Sequence, residues 1–340
     1  MSVFLVMTAA IALIAPGETP CDSGHSNTAR QNAEAAWEKG QFTAASARFQ
    51  RAFDACPADH SLLIRLSEAE ARGHHGAEAI AAAKRFLQLE PSSIAGKVTL
   101  ANAYFMAQRP AEALRVAESV LAIRPDEPAA MKIKGNAEYT SGQPEKAIQT
   151  FLSLLASYPQ DFDAAYMLGR IYYQEGRVDQ AIGQFERALR LDPASYKALD
   201  NLGLCYQALG NLEMAKRYFL TAIKVSEEKV ASYDWAYANL ANLLLENGEA
   251  EQAFAAASKA VDRNPFSARD FYLGGKALQQ LGKDDLSINW LERSASLDPR
   301  YPEPLYLLAK LYKQRGDDTK AAATLEKFRI VKAAAPRERK

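Results

Sequence analysis

Prolines that recur at a fixed interval constrain the fold of this chain more than any other feature of its sequence. Successive members of the series are 34 residues apart, except for one interval of 72, and they are Pro57, Pro91, Pro125, Pro159, Pro193, Pro265 and Pro299. Proline lacks an amide hydrogen and restricts the residue before it, so it suits a junction where one helix ends and another begins. A repeat of this length predicts a stack of similar units rather than one globular core.

Each repeat contains two amphipathic helical patterns, and residues 162–195 show them clearly. The positions that share the two apolar faces are Leu168, Gly169 and Tyr172 in the first helix and Ala181, Phe185 and Ala188 in the second. Small residues permit close approach of the helices, and aromatic rings fill the remaining space. Neither helix can bury its face alone, so neighbouring units are expected to stack. No alternating strand pattern stands out, which predicts an all-α chain.

These spacings resemble the tetratricopeptide repeat (TPR) family over residues 26–331. The resemblance gives about nine units, at 26–59, 60–93, 94–127, 128–161, 162–195, 196–233, 234–267, 268–301 and 302–331. It implies an all-α fold, a right-handed α-solenoid superhelix of stacked antiparallel helix pairs with a concave groove. The second unit departs most, because Glu70 stands where a large apolar residue is usual and Phe86 where a small one is usual.

The sixth unit breaks the period. Glu227 occupies the place of the proline, and "VSEEKVASYD" adds four residues before the seventh unit. Four residues make about one additional helical turn. A tolerated extension of the second helix is the simpler interpretation, and a functional kink or docking knob is the alternative.

The N-terminus carries an apolar run from Val3 to Ala15, followed by a break containing proline and glycine. It is too short to span a bilayer as a mature helix, but it suits the core of a signal peptide. Residues 1–22 are therefore expected to be a signal peptide, which favours an exported, periplasmic or envelope-associated protein. The alternatives are an uncleaved hydrophobic start, a misassigned start codon and a cytoplasmic location.

The three cysteines give two expectations. Cys205 falls on a packed helix and is expected to be a small buried hydrophobic residue. Cys21 and Cys56 could pair if the chain is exported and the N-terminal segment folds against the first unit. Lipidation at Cys21 is a further alternative, although Glu-Thr-Pro precedes it instead of small apolar residues.

Nothing in the sequence indicates catalysis. There is no phosphate-binding glycine loop, HExxH, CxxC pair or GxSxG motif. His74 and His75 lie in a "GHHG" turn without ligands at metal-binding spacing. We therefore expect no enzyme activity, no metal and no cofactor. The 41 basic and 41 acidic residues balance, which removes the usual electrostatic argument for nucleic acid as a partner.

The TPR resemblance implies that certain first-helix positions face the concave side and bind a protein or peptide partner. These positions are Lys132, Asn136, Tyr139, Tyr166, Met167, Arg170, Tyr173, Lys197, Asp200, Asn201, Trp235, Asn239, Asn242, Arg269, Tyr272, Lys276, Tyr306, Lys310 and Lys313. Asparagines can hydrogen-bond a peptide backbone, aromatic rings supply contact area, and cations can meet carboxylates. The alternative is a solvated groove without a dedicated ligand.

Two finer resemblances concern these positions. Lys132, Asn136 and Lys197 are similar to the carboxylate clamp of chaperone-binding TPR domains, but Met167 and Asn201 replace its other two polar residues. That substitution removes much of the grip on a terminal carboxylate. Separately, Asn201 and Asn239 occupy equivalent positions in successive units, similar to the asparagine ladder of TPR domains that bind extended peptides.

The sequence therefore favours a non-catalytic interaction scaffold or adaptor. A regulatory or targeting subunit of an enzyme acting in trans, or a cytosolic co-chaperone with a degenerate clamp, are the alternatives. At the C-terminus, Leu325, Phe328 and Val331 continue an apolar stripe before the basic tail at 332–340. We expect the last helix to bury this stripe against the ninth unit; a dimer or partner contact is the other possibility.

Overall fold

The computed structural model describes residues 23–230 and 232–334, with side chains at 28–228, 230 and 232–334. The chain divides into two compact units between Tyr158 and Pro159. The helices of the first unit are α1 (Ser23–Glu38), α2 (Phe42–Ala55), α3 (Ser61–Arg72), α4 (Gly76–Leu89), α5 (Ile94–Met106), α6 (Pro110–Leu121), α7 (Pro128–Thr140) and α8 (Pro144–Ser157).

The second unit continues the same alternation of helices. Its helices are α9 (Phe162–Gln174), α10 (Val178–Leu191), α11 (Tyr196–Ala208), α12 (Leu212–Lys229), α13 (Trp235–Glu246), α14 (Ala250–Arg263), α15 (Ala268–Gln280), α16 (Asp284–Leu297), α17 (Pro302–Gln314) and α18 (Asp318–Ala334). The described residues thus form an all-α chain of helix pairs that stack within each unit, as predicted. No helix among them is long and apolar enough to cross a bilayer.

The turn inside each pair requires a left-handed backbone. Gly176 has a φ of 72° between α9 and α10, and glycine takes this conformation without steric cost. His74 and Gln108 stand at the equivalent positions of the second and third pairs, with φ of 63° and 58°. The backbone is therefore strained at two turns of the first compact unit, whereas the turns that carry glycine are free of this strain.

The predicted core contacts are confirmed. Gly169 lies against Phe185, and a Cβ atom on this glycine would lie 2.8 Å from the ring. Ala181, Phe185 and Ala188 are completely buried, and Tyr172 is buried beside them. Close approach of α9 and α10 thus depends on the small residue, as the spacing predicted.

In the second repeat, residues 60–93, the two residues that depart from the family pattern are accommodated by local contacts. Glu70 is paired with His75 of the following turn, with 2.7 Å between Oε2 and Nδ1. The ring of Phe86 packs on Gly96 at the start of α5, where an added Cβ would lie 2.5 Å from it. A polar pair replaces one apolar contact, and a glycine in the next unit accommodates the larger ring.

The C-terminal stripe is only partly covered. Leu325, Phe328 and Val331 are half-buried, and Phe328 contacts Tyr306 of α17 at 5.3 Å between ring centroids. Ile330 on the same helix is 61% exposed. The choice between a buried stripe and a partner contact therefore stays open, and residues 335–340 of the basic tail lie outside the described residues.

The cysteines are placed in part. Cys205 is a buried free thiol, as expected. Cys56 is buried and takes part in a disulfide. Cys21, the predicted partner, and the apolar run from Val3 to Ala15 both lie outside the described residues.

Candidate binding groove

The first helices of three successive pairs in the second unit line a groove of about 390 Å³. These helices are α9, α11 and α13, and the connection before α13 completes the lining. The lining residues are Tyr166, Arg170, Tyr173, Gln174, Lys197, Asp200, Asn201, Leu204, Tyr233, Trp235 and Asn239. Most of them are positions that the TPR resemblance assigned to the concave side.

Aromatic rings form the walls of this groove. Tyr166 stacks on Phe162 at 6.0 Å and also contacts Phe185, so its ring is held from two sides. Burial raises the pKa of both Tyr166 and Tyr173, which keeps their hydroxyls protonated at neutral pH. Trp235 is 55% exposed. The walls therefore offer flat apolar area together with hydroxyl groups that can donate or accept.

The floor of the groove is a buried carboxylate with two donors. Asp200 is 3% exposed. Tyr233 Oη donates to its Oδ2 at 2.7 Å, and Asn239 Nδ2 donates to its Oδ1 at 3.0 Å. Burial raises the pKa of Asp200, while these two hydrogen bonds act in the opposite direction. Tyr233 also packs edge-on against Tyr196 at 4.6 Å, which fixes the floor from α11.

The extra residues of the sixth unit supply part of this floor. α12 has 18 residues where α10 has 14, so the helix continues by one turn. Glu227, which replaces the periodic proline, accepts from Tyr237 Oη at 2.6 Å and pairs with Arg263 at 3.5 Å. The connection that follows then brings Tyr233 to Asp200. The extension is helical, as the simpler interpretation held, and the connection after it contributes to the groove.

The two predicted rungs of an asparagine ladder both lie in the groove. Asn201 Nδ2 donates to the carbonyl of Lys197 at 2.8 Å and to Tyr166 Oη at 3.3 Å. The amide nitrogen of Asn239 is engaged by Asp200. No described residue donates to Oδ1 of either asparagine. The amide oxygens are therefore the groups that remain to accept an N–H of a ligand.

Two cations of the groove have no carboxylate partner. Arg170 and Lys197 are exposed, and no carboxylate oxygen of a described residue lies within 4.0 Å of either charged group. The Arg170 guanidinium donates from Nη1 to the sulfur of Met167 at 3.9 Å. Both positive charges therefore face the groove uncompensated.

Arg269 is different because it is held by a polar cluster of its own. Its guanidinium lies 4.0 Å from the ring centroid of Trp235, and its Nε donates to Asp270 at 3.1 Å. Asp234 lies 3.9 Å from Nη2 and also accepts from Asn264 at 3.0 Å. Asp270 is fully buried, and burial, reinforced by Asp234, raises its pKa to about 7 despite the opposing charge of Arg269.

The structure brings eight of the predicted groove positions together and leaves the others outside this groove. Asn242 donates to Glu246 on its own helix at 2.9 Å, and Tyr272 packs against Tyr301 at 5.5 Å. Neither these residues nor Lys276 line the groove. The predicted positions of α17 instead line a separate cavity of about 640 Å³ beside α18, and they are Tyr306, Lys310 and Lys313.

The predicted positions of the fourth unit belong to the first compact unit. Lys132, Asn136 and Tyr139 lie on α7, whereas Lys197 and Asn201 lie in the second unit. Oδ1 of Asn136 is buried without a hydrogen-bond partner among the described residues. The carboxylate clamp that combines the two sets stays a prediction.

Sequence reasoning missed Tyr233, Leu204 and Gln174. Tyr233 had one available signal, because it lies in the segment that breaks the 34-residue period. Across the described part of the chain, no three His, Cys, Asp or Glu side chains converge as metal ligands would.

Comparison with sequence models of known families decides the family. Tetratricopeptide repeat models match residues 30–94, 98–162, 134–196, 166–229, 236–267 and 305–329, which together make up more than half of the chain. The chain belongs to the tetratricopeptide repeat family. Repeats of this kind are typically non-catalytic scaffolds for protein interaction. Among curated proteins, none matches the sequence significantly.

Solved structures share the fold of this TPR chain. The APC/C hetero-tetramer Cut9-Hcn1 is similar with a TM-score of 0.64 and 14% identity, over 82% of this chain and 54% of that one. The chain therefore spans about half the length of that relative. A tetratricopeptide repeat protein from Parabacteroides merdae has a TM-score of 0.57 and 20% identity, over 74% of this chain and 98% of that one.

PilF of Pseudomonas aeruginosa is a third relative, with a TM-score of 0.55 and 19% identity. The match covers 64% of this chain and 97% of that one. At these identities the likeness concerns the fold alone.

Proposed function

We propose that this TPR chain is an interaction scaffold that binds an extended peptide segment of a partner in the groove of α9, α11 and α13. The observation that carries the proposal is the preformed floor, where Tyr233 and Asn239 hold Asp200. Groups that are already ordered lose little conformational freedom when a ligand binds, so more of the interaction energy remains for affinity.

The groove residues suit a peptide backbone. The free amide oxygens of Asn201 and Asn239 can accept peptide N–H groups, and the exposed ring of Trp235 supplies apolar area beside them. Exposed aromatic residues of this kind contribute a large share of the binding energy at protein interfaces. The proposal therefore places the strongest contacts at Trp235 and the orientation of the peptide at the two asparagines.

The test is selection of binders from a random peptide library on the full chain, followed by affinity measurement for the selected peptides. Trp235→Ala is expected to weaken binding at least about tenfold, because it removes a central aromatic contact. Phe266→Ala is the matched control, since Phe266 is a 77% exposed aromatic residue that does not line the groove. Equal effects of the two substitutions would place the binding surface elsewhere.

We further propose that the protein works outside the cytoplasm, in an exported or envelope-associated setting. The apolar run from Val3 to Ala15 supports export, and the disulfide at Cys56 is typical of an oxidising compartment. The experiment is the intact mass of the protein from its native cells, with and without thiol alkylation. A full-length chain with reduced cysteines in the cytoplasmic fraction would contradict this setting.

A further inference from the structure

The lining of the groove has a charge imbalance that indicates what kind of peptide it accepts. Its cations are Arg170 and Lys197, both exposed and both without a carboxylate partner among the described residues. Its acid is Asp200, which is buried and whose two oxygens already accept hydrogen bonds from Tyr233 and Asn239. A ligand in the groove therefore meets two positive charges and no accessible negative one.

The neighbouring cation shows how the same fold neutralises a charge when no ligand is needed. Arg269 stacks on Trp235 and is paired with Asp270 and Asp234. Lys197 lies 6.0 Å from the ring centroid of Tyr196, but neither it nor Arg170 has a carboxylate partner among the described residues, although each lies on the first helix of a pair, as Arg269 does. Their charges are available to a partner, and complementary carboxylates would give charge-assisted hydrogen bonds.

The spacing of the two cations constrains the sequence of the ligand. Arg170 lies on α9 and Lys197 on α11, the first helices of successive pairs. Arg170 is the ninth residue of α9 and Lys197 the second of α11, so they differ by seven helical positions, about 10 Å along the helix axes. With about 8–10 Å between the helices, their backbone attachment points lie about 14 Å apart. An extended segment rises about 3.3 Å per residue with alternate residues on one face, so acids at i and i+4 lie about 13 Å apart and would meet the two cations in turn.

The hydrogen-bonding groups distinguish a peptide from a nucleic acid. The amide oxygens of Asn201 and Asn239 are acceptors, and they require donors from the ligand. A nucleic acid has donors on its bases and, in RNA, on the 2′-hydroxyl groups but none on its phosphates, whereas every peptide unit except that of proline offers a backbone N–H. The combination of two cations and two acceptors therefore fits an acidic peptide.

We propose that the groove selects an internal acidic segment of a partner protein, with two carboxylates four residues apart in an extended conformation. This inference rests on the proposed function, because it names the chemistry of the peptide in the same groove. It requires no free C-terminal carboxylate.

The test uses fluorescent peptides of about twelve residues with acetylated and amidated ends and the central sequence Ala-Glu-Thr-Val-Thr-Glu-Ala, whose β-branched residues favour an extended backbone. We expect the full chain to bind this peptide about tenfold more tightly than the version with both Glu replaced by Gln, since two partly exposed ion pairs are lost. Added salt should reduce the difference. A version with adjacent Glu residues can pair with only one of the two cations, so it should bind more weakly than the spaced peptide and more tightly than the Gln peptide.

Protein variants locate the effect. Arg170→Gln combined with Lys197→Gln should abolish the preference for the Glu peptide over the Gln peptide, measured as the ratio of their two affinities. Lys276→Gln is the matched control, because this lysine lies on α15 outside the groove. Arg170→Glu combined with Lys197→Glu should favour the corresponding peptide with Lys in place of Glu. Thermal melts of each variant verify that it is folded.

The outcomes separate this inference from the proposed function. If binding depends on Trp235 but is indifferent to the Glu residues, the acidic selection is wrong and the peptide-binding groove stands. If the preference for Glu survives the double Gln variant, or is lost with Lys276→Gln, the assignment to Arg170 and Lys197 is wrong. If no peptide from the library binds in a manner dependent on Trp235, both proposals fail.

Discussion

The substitution Asp270→Asn is expected to change how the stability of the second compact unit depends on pH. The carboxyl is fully buried on α15, where Arg269 Nε donates to one oxygen and the other has no hydrogen-bond donor. Its pKa is raised from 3.8 to about 7. Between these two pKa values, the Asp270 carboxyl is therefore protonated in the native state and ionised in the unfolded chain.

The size of the effect follows from this difference. Between about pH 4 and pH 7 the native state binds more protons than the unfolded state, so its stability falls as the pH rises. About three pKa units at about 1.36 kcal/mol each correspond to about 4 kcal/mol lost across that range. Asparagine resembles the protonated acid, because its oxygen can accept from Arg269 and its amide can donate towards Asp234. The variant should therefore lack this loss and be the more stable protein at pH 8.

The assay is urea unfolding followed by circular dichroism at pH 5, 6, 7 and 8. Repeat arrays do not always unfold as one unit, so the difference between variant and wild type is the quantity to compare. Asp262→Asn is the matched control, since Asp262 is an exposed aspartate on neighbouring α14. If Asp270→Asn runs parallel to the wild type across the whole pH range, the reasoning about the buried carboxyl is wrong.

Three further predictions concern packing, backbone strain and thiol reactivity. Gly169→Ala should lower the free energy of unfolding by about 1–3 kcal/mol in urea denaturation, because the added Cβ would meet Phe185. Gly183→Ala should raise it by up to about 1 kcal/mol, because a Cβ there would have nothing within 4 Å. Changes of the same sign in both variants would contradict the packing argument. Gln108→Gly should stabilise the first compact unit by up to about 1 kcal/mol in the same assay, because glycine takes the φ of 58° at this position without steric cost. A lower stability of the variant would refute the assigned strain. Burial raises the pKa of the Cys205 thiol to about 12, so alkylation at pH 8 should await unfolding, and rapid labelling of the native protein would count against its burial.

The sequence predicted contacts that lie within one repeat far better than contacts that cross between repeats. Gly169 and Phe185 could be paired because their spacing recurs in unit after unit and side chains three or four apart share a helical face. The same register placed Tyr166 and Trp235 on the groove side, where the structure has them.

Partners from other units could not be read in this way. Arg269 was predicted as a groove cation, and its pairing with Asp234 depends on how the connection before α13 runs. Asp200 is an acid on a helix, and its sequence neighbours do not reveal that Tyr233 covers it. That contact is created by four additional residues, and the helical period carries no information about where an inserted segment packs.

The origin of Tyr233 in the irregular sixth unit has a consequence for exchanging modules between such proteins. An array rebuilt from copies of the regular fifth unit would retain its helix pairs and its stacking, since those depend on positions that recur. It would lack the longer α12 and the connection that delivers Tyr233 to Asp200. The proposed recognition is therefore tied to the least interchangeable module of the chain, and a transplant of the groove has to carry α11, α12 and the start of α13 as one piece.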